Sequence, residues 1–289
     1  MQNELPVNRL DARKAREILE ALHGPALSEK ESALATEAMD AKFRAEVARQ
    51  LTLRREEQKL TRPLLEHMAR LAPYELTEKV KAEREAFLHR LPHRELSALQ
   101  PSESAILIGS LIALFAPPYD AGATASNQEA WAKPNIGEIH VRAQEIGSGS
   151  SAHTAQIGKW FRPIADGLVR FRTNVQYWYD WWSSASFYTA HNHGFIGVFI
   201  FENTNGRNIL IRDERRLLWN DGVGWLDSHH DSADSWQLFD IPFGAKRGSA
   251  YFLGVWCGCW MDADDGFGGF SAASADLTCR VPLIAVKTQ

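Results

Sequence analysis

At 289 residues, 45% hydrophobic and 24% charged, the chain has the composition of a folded globular protein and is long enough for one large or two ordinary domains. A formal net charge of −4 gives a nucleic-acid partner no general attraction, and no run reaches the about 18 apolar residues needed to span a bilayer. Three cysteines, two of them one residue apart, make a poor disulfide framework; with the polar start MQNELPVNRLDARKAREILE they predict synthesis in the cytoplasm, with export only by a signal-less route.

The two halves differ. All ten Trp lie beyond residue 100, and Gly24 alone of 20 Gly lies before it. We read residues 1–100 as a helical region for assembly or docking, and 101–289 as a Trp-rich β-sandwich that binds something. Residues 8–22 read as a first helix with Asn8 as its cap. From Ser28 to Leu60 the chain has no Gly or Pro and is rich in helix formers, and Ser28 with Glu31 fits a capping box. Ala35, Met39, Phe43, Val47 and Leu51 recur every four residues, an amphipathic stripe. A heptad seam through Met39, Phe43, Leu53 and Leu60 also takes in Thr36, Glu46, Gln50 and Glu57, and these four polar positions argue against a simple coiled coil. The helix, expected over about 28–60, is about 50 Å long, too long for its modest stripe to bury alone, and is expected to pack on another helix or another chain. Thr61-Arg62-Pro63 is expected to end it, with Pro63 opening a short helix to Leu71; Leu76 to Leu91 reads as a further helix.

Ile106 to Ala116 is apolar and reads as a buried segment. Period-two patterns follow: Ile136–Ala143, Ala152–Phe161 and, most clearly, Leu168–Trp182. There Val169, Phe171, Thr173, Val175, Tyr177, Tyr179 and Trp181 share an inward face, and Arg170, Arg172, Asn174, Gln176, Trp178 and Asp180 point outward. Gly194–Phe201 is apolar on both faces and reads as a central strand, with a hairpin turn at Asn203–Gly206 and another turn at Asn220-Asp221-Gly222. Trp236–Phe243, Ser249–Asp264 and Ala273–Val286 complete eight or nine strands. The expected fold is an α+β chain: a helical region, then an antiparallel two-sheet sandwich of jelly-roll type. In Ser249–Asp264 the set Tyr251, Leu253, Val255, Cys257, Cys259 and Met261 reads as core. Phe252, Trp256 and Trp260 face the other way, with Gly254 and Gly258 between them.

Little chemistry is written in this pattern. His191 and His193 share a strand face and are weak metal candidates; the pair resembles a cupin motif, but the following carboxylate and histidine of that pattern are missing. Asp262 and Asp264 resemble the start of a calcium loop, yet Ala273 stands where its last ligand belongs. His229, His230, Asp231 and Asp234 read as a polar loop. Gly147–Ala152 matches a G-x-G-x-x-A string but precedes a strand, not a helix. Cys257, Cys259 and Cys279 read as core thiols. No catalytic set, metal or cofactor is predicted, and the protein is expected not to be an enzyme.

The strongest signal is aromatic. Trp178, Trp256 and Trp260, with Arg170, Arg172, Asn174 and Gln176, form the expected ligand-binding residues for a glycan or a protein partner. A homo-oligomer built through the helical region is expected. A structural subunit of a larger particle is the alternative, and a membrane-active, pore-forming protein the third reading.

Overall fold

The computed structural model describes residues 29–71, 78–79, 82, 111–124, 129–204, 207–264 and 271–288. The helices expected at 8–22 and at Leu76–Leu91 lie wholly or largely outside these residues, as does the turn pair Asn205-Gly206. Helix α1 runs Glu29–Ala69 with Pro63 inside it, so the break expected at Thr61-Arg62-Pro63 does not occur. Proline withholds one N–H from the helix ladder, but this stretch is solvent-exposed, where water serves the freed carbonyl. Among the described residues no helix is long and apolar enough to cross a membrane.

Twelve strands follow among the described residues: β1 (Leu111–Phe115), β2 (Ala121–Thr124), β3 (Ala130–Lys133), β4 (Glu138–Ile146), β5 (Gly149–Phe161), β6 (Gly167–Ala185), β7 (Thr189–Thr204), β8 (Arg207–Gly224), β9 (Asp227–Ala245), β10 (Ala250–Ala263), β11 (Ser271–Arg280) and β12 (Ile284–Thr288). They form a five-stranded sheet, β2-β5-β10-β7-β8, and a seven-stranded sheet, β1-β12-β6-β11-β4-β3 with β9 on the other edge of β6. Eight of them pair in nested antiparallel order: β7 with β8, β6 with β9, β5 with β10, and β4 with β11. Successive pairs go to opposite sheets, the wrapping of a jelly roll. The outer strands β1, β2, β3 and β12 extend it beyond the expected eight or nine.

Three local expectations are corrected. Asn220-Asp221-Gly222 is not a turn: β8 continues through it, with Gly222 opposite His191. A Cβ on Gly222 would stand 2.6 Å from the imidazole Nδ1 of His191, so that glycine makes room for a ring. The chain turns instead at Trp225 and Leu226, both with positive φ (41° and 58°). The polar run His229–Asp234 is therefore strand β9, paired along β6. Ala273–Val286 divides into β11 and β12 around Pro282, and Val281 N–H leaves the ladder to donate to the Gly137 carbonyl at 2.7 Å.

The core between the sheets follows the alternation. Tyr251, Leu253, Val255, Cys257, Cys259 and Met261 of β10 meet Val169, Phe171, Val175, Tyr179 and Trp181 of β6, with Leu277 and Cys279 of β11. All three cysteines are free and buried; burial pushes the Cys257 and Cys259 thiols well up, away from the reactive thiolate.

Candidate binding cleft between the helix and the five-stranded sheet

A second apolar layer lies outside the five-stranded sheet. The α1 stripe Ala35, Met39, Phe43 and Val47 is buried on Trp160 of β5, Phe199 and Phe201 of β7, and Phe252, Trp256 and Trp260 of β10. Phe43 meets Trp256 edge-on, with ring centroids 5.7 Å apart. The glycines between the aromatic residues leave no open ring faces. A Cβ on Gly254 would stand 2.1 Å from the Phe199 ring, and one on Gly258 would stand 3.3 Å from Phe43. Bare backbone here is filled by rings from a neighbouring strand and from the helix. Trp256 and Trp260 are only 2% and 4% exposed, so the expected platform is covered by the chain's own helix.

Polar contacts fix the helix in register. Thr154 Oγ1 donates to Asp40 Oδ1 at 2.7 Å, and Gln156 Nε2 donates to the Thr36 carbonyl at 2.6 Å. Arg215 of β8 holds both carboxylate oxygens of Glu46 at 2.7 and 2.6 Å. This fork is the strongest geometry available to a partly exposed pair, and it lowers the Glu46 pKa. Lys42 reaches Asp213 at 2.5 Å.

Beyond Val47 the helix and β7–β8 enclose a cleft of 290 Å³. Phe43, Val47, Phe195 and Leu217 supply its apolar lining, and Gln50, Asn220 and the Glu46–Arg215 pair its polar rim. At its end stands Arg54. Its Nη2 donates to His193 Nε2 at 3.0 Å, and its guanidinium carbon lies 5.2 Å from the centre of the Trp260 ring. His193 stacks on Trp260 at 4.1 Å with 13° between the planes. Burial, and then Arg54 and His191, pull the His193 pKa down to about 3, so the ring is neutral and its Nε2 accepts from Arg54. His191 falls to about 4 through burial and the nearby Arg54. Burial pushes Asp262 up to about 6 against the opposing pull of Arg54. No carboxylate among the described residues pairs with Arg54 at ion-pair distance. A half-buried guanidinium with one N–H engaged by a neutral ring has donors left for an anion.

The structure thus gathers His191, His193, Trp260 and Asp262, four residues singled out separately in the sequence, around Arg54, which was not. Arg54 carried no signal of its own in a helix dense with Arg and Glu. Among the described residues no three His, Cys, Asp or Glu side chains converge as metal ligands, and Asp264 is engaged through its backbone N–H with the Thr189 carbonyl at 3.0 Å.

The remaining expected site residues are on the other side of the molecule. Trp178, Arg170, Arg172, Asn174 and Gln176 belong to β6 and point out of the seven-stranded sheet. With sheets about 10 Å apart and facing opposite ways, they share no surface with Trp256 and Trp260. Trp178 is buried, Arg170 donates to Asp240 Oδ1 at 2.8 Å, and Gln176 Nε2 donates to Asp234 Oδ1 at 3.4 Å. On this face Asp276 of β11 stands directly between Asp180 of β6 and Arg142 of β4. Burial, reinforced by Asp180 and opposed by Arg142, pushes Asp276 up to about 7.

Fold and cleft together define a helix-capped jelly-roll protein. No protein family and no curated relative matches the chain. Among solved structures, the carbohydrate-binding module TmCBM61, determined in complex with β-1,4-galactotriose, is 9% identical at a TM-score of 0.17, covering 56% of this chain and 90% of its own. A structure of infectious bursal disease virus, Gx strain, is 11% identical at a TM-score of 0.18, covering 58% of this chain and 37% of its own. Likeness at this level carries no argument about ligand or partner.

Proposed function

We propose that the protein is a non-enzymatic binding protein and that the cleft between α1, β7 and β8 recognises an acidic glycan. The observation that carries this reading is Arg54: a partly buried cation, oriented by a neutral His193, in the field of Asp262 and Glu57 but with no carboxylate among the described residues at ion-pair distance. A sugar carboxylate would take the free N–H groups in charge-assisted bonds, the Phe195 ring would lie against a sugar face, and Gln50 and Asn220 would meet hydroxyls. The test is calorimetric titration of the full chain with sialylated or uronic-acid oligosaccharides and their neutral counterparts, repeated for Arg54→Met. The acidic sugars are expected to bind selectively, with at least a roughly tenfold loss in Arg54→Met at an unchanged melting temperature. Equal affinity of the folded wild type and variant, or no binding of acidic sugars, sinks the reading.

A second reading, an assembly subunit, is favoured by a different observation: large apolar side chains exposed along the last turns of α1.

A further inference from the structure

Helix α1 has two faces of different character. Its first half buries the stripe Ala35–Val47 on the sheet. From Leu51 onward the half-buried positions include Leu51, Arg54, Gln58 and Leu65, which keep the same side toward the sandwich. A third of a turn away, at about 100° per residue, stands a second row. It holds Leu53, Leu60, Leu64 and Leu71, exposed by 52%, 84%, 61% and 71%, with Glu57 and His67 between them, also exposed. Helical hydrogen bonding reaches the end of the row, since Arg70 N–H donates to the Glu66 carbonyl and Leu71 N–H to that of Met68. These six positions are consecutive a and d places of one heptad register. The register is too polar along the whole helix, but in its exposed end four of six places are leucine.

We infer that this row is the interface with a second copy of the chain, packed antiparallel. The sequence of the row is self-complementary in that orientation and in one register. When Leu60 lies opposite the partner copy's residue 64, Leu53 faces position 71 and Glu57 faces position 67. Every leucine then meets leucine, and each of the two polar layers sets a carboxylate against an imidazole. Glu56, flanking the row, comes within two residues of the level of position 70 of the other copy, an arginine, on the same side of the seam. Parallel pairing in register would instead put Glu57 on Glu57 and His67 on His67, like against like, which disfavours it. The antiparallel arrangement has two-fold symmetry and closes as a dimer. It leaves the Arg54 side of the helix on the sandwich, so it stands independently of the glycan reading.

The experiment is sedimentation equilibrium on the full chain. The wild type is expected as a dimer. Leu60→Asp with Leu64→Asp should be monomeric with an unchanged circular dichroism spectrum. His67→Glu places Glu against Glu in both polar layers and should raise the dimer dissociation constant at least about tenfold. Exchanging the two residues, Glu57→His with His67→Glu, should restore it, because the antiparallel register pairs the same two types again. Three outcomes overturn the inference: a wild-type monomer at high concentration, which would mean that the row is covered by another segment such as residues 76–91 of the same chain; a dimer insensitive to Leu60→Asp/Leu64→Asp; and a charge exchange that fails to rescue His67→Glu in folded protein.

Discussion

Replacing Phe43 by Ala tests whether α1 is a separate layer clamped on a finished sandwich. Phe43 is 3% exposed and fills the space above Gly258 that a Cβ there would invade. Deleting a buried Phe side chain costs about 3–5 kcal/mol. Within that cost fall two edge-on ring contacts, to Trp256 at 5.7 Å and to Phe195 at 6.4 Å, and the middle of the range is about 4 kcal/mol. If α1 opens on its own, that loss falls on helix docking alone. Amide exchange in residues 35–51 should accelerate by about a thousandfold, at tenfold per 1.36 kcal/mol. Amides of β10 such as those of Val255 and Cys257, paired on both sides by β5 and β7, should keep their protection. Hydrogen exchange read by mass spectrometry separates the two segments. Equal acceleration in α1 and β10 would refute the layered picture, because helix and sheets would then unfold as one unit. No acceleration anywhere would mean that Phe43 is not seated on Trp256.

Two further predictions follow from the packing and the charges. Asp276 titrates at about 7 in the folded protein against 3.8 for the free side chain, so the native state binds the extra proton between those values and stability falls as pH rises from about 4 to 7; Asp276→Asn, which cannot ionise, should be more stable than wild type at pH 8 by at most about 4 kcal/mol, with the gap closing toward pH 4, in urea titrations at both pH values. A variant destabilised at pH 8 would show that Arg142, or His140 with its Nδ1 3.4 Å from Asp276 Oδ1, holds a useful carboxylate there. Gly254→Ala should destabilise by about 1–3 kcal/mol in the same assay, since its Cβ would meet the Phe199 ring at 2.1 Å, and the double variant Gly254→Ala/Phe199→Leu should recover part of the loss if that clash is its cause.

Much of the architecture was legible because it depends on periodicity. The alternation from Ala250 to Met261 assigned each side chain of β10 to one of two faces, and the four-residue spacing from Ala35 to Val47 marked the buried side of α1. The sequence did not say that these two apolar surfaces cover each other, since complementarity between distant segments leaves no local trace. For the same reason Gly254 and Gly258 mark only the spaces between Phe252, Trp256 and Trp260 in the sequence, when they are seats for Phe199 and Phe43. Pro63 and Asn220-Asp221-Gly222 misled because punctuation residues record what the backbone tolerates; strand pairing overrode the second, and solvent exposure excused the first. Nor could Trp225 and Leu226 signal the turn they make, as neither residue favours positive φ. Arg54 was invisible because its distinction, a half-buried guanidinium held by His193 with no described carboxylate at ion-pair distance, exists only in three dimensions.

The nested strand pairing has a kinetic consequence. The β7–β8 hairpin joins residues adjacent in sequence, from Thr204 opposite Arg207 outward. Once it forms, Ala185 and Asp227 are brought near each other, and β6–β9 closes a loop already shortened. The β5–β10 and β4–β11 pairs follow in turn, each bridging ends that the previous pair has drawn together. Chain-closure entropy is thereby spread over four modest steps instead of one large one. Chain-closure entropy therefore favours assembly from the middle of the sandwich sequence toward its two ends. The surface that receives α1 lies largely on β10, which pairs third in that order. On the ribosome the helix emerges first, so Met39, Phe43 and Val47 stay without their seat until most of the chain has been made.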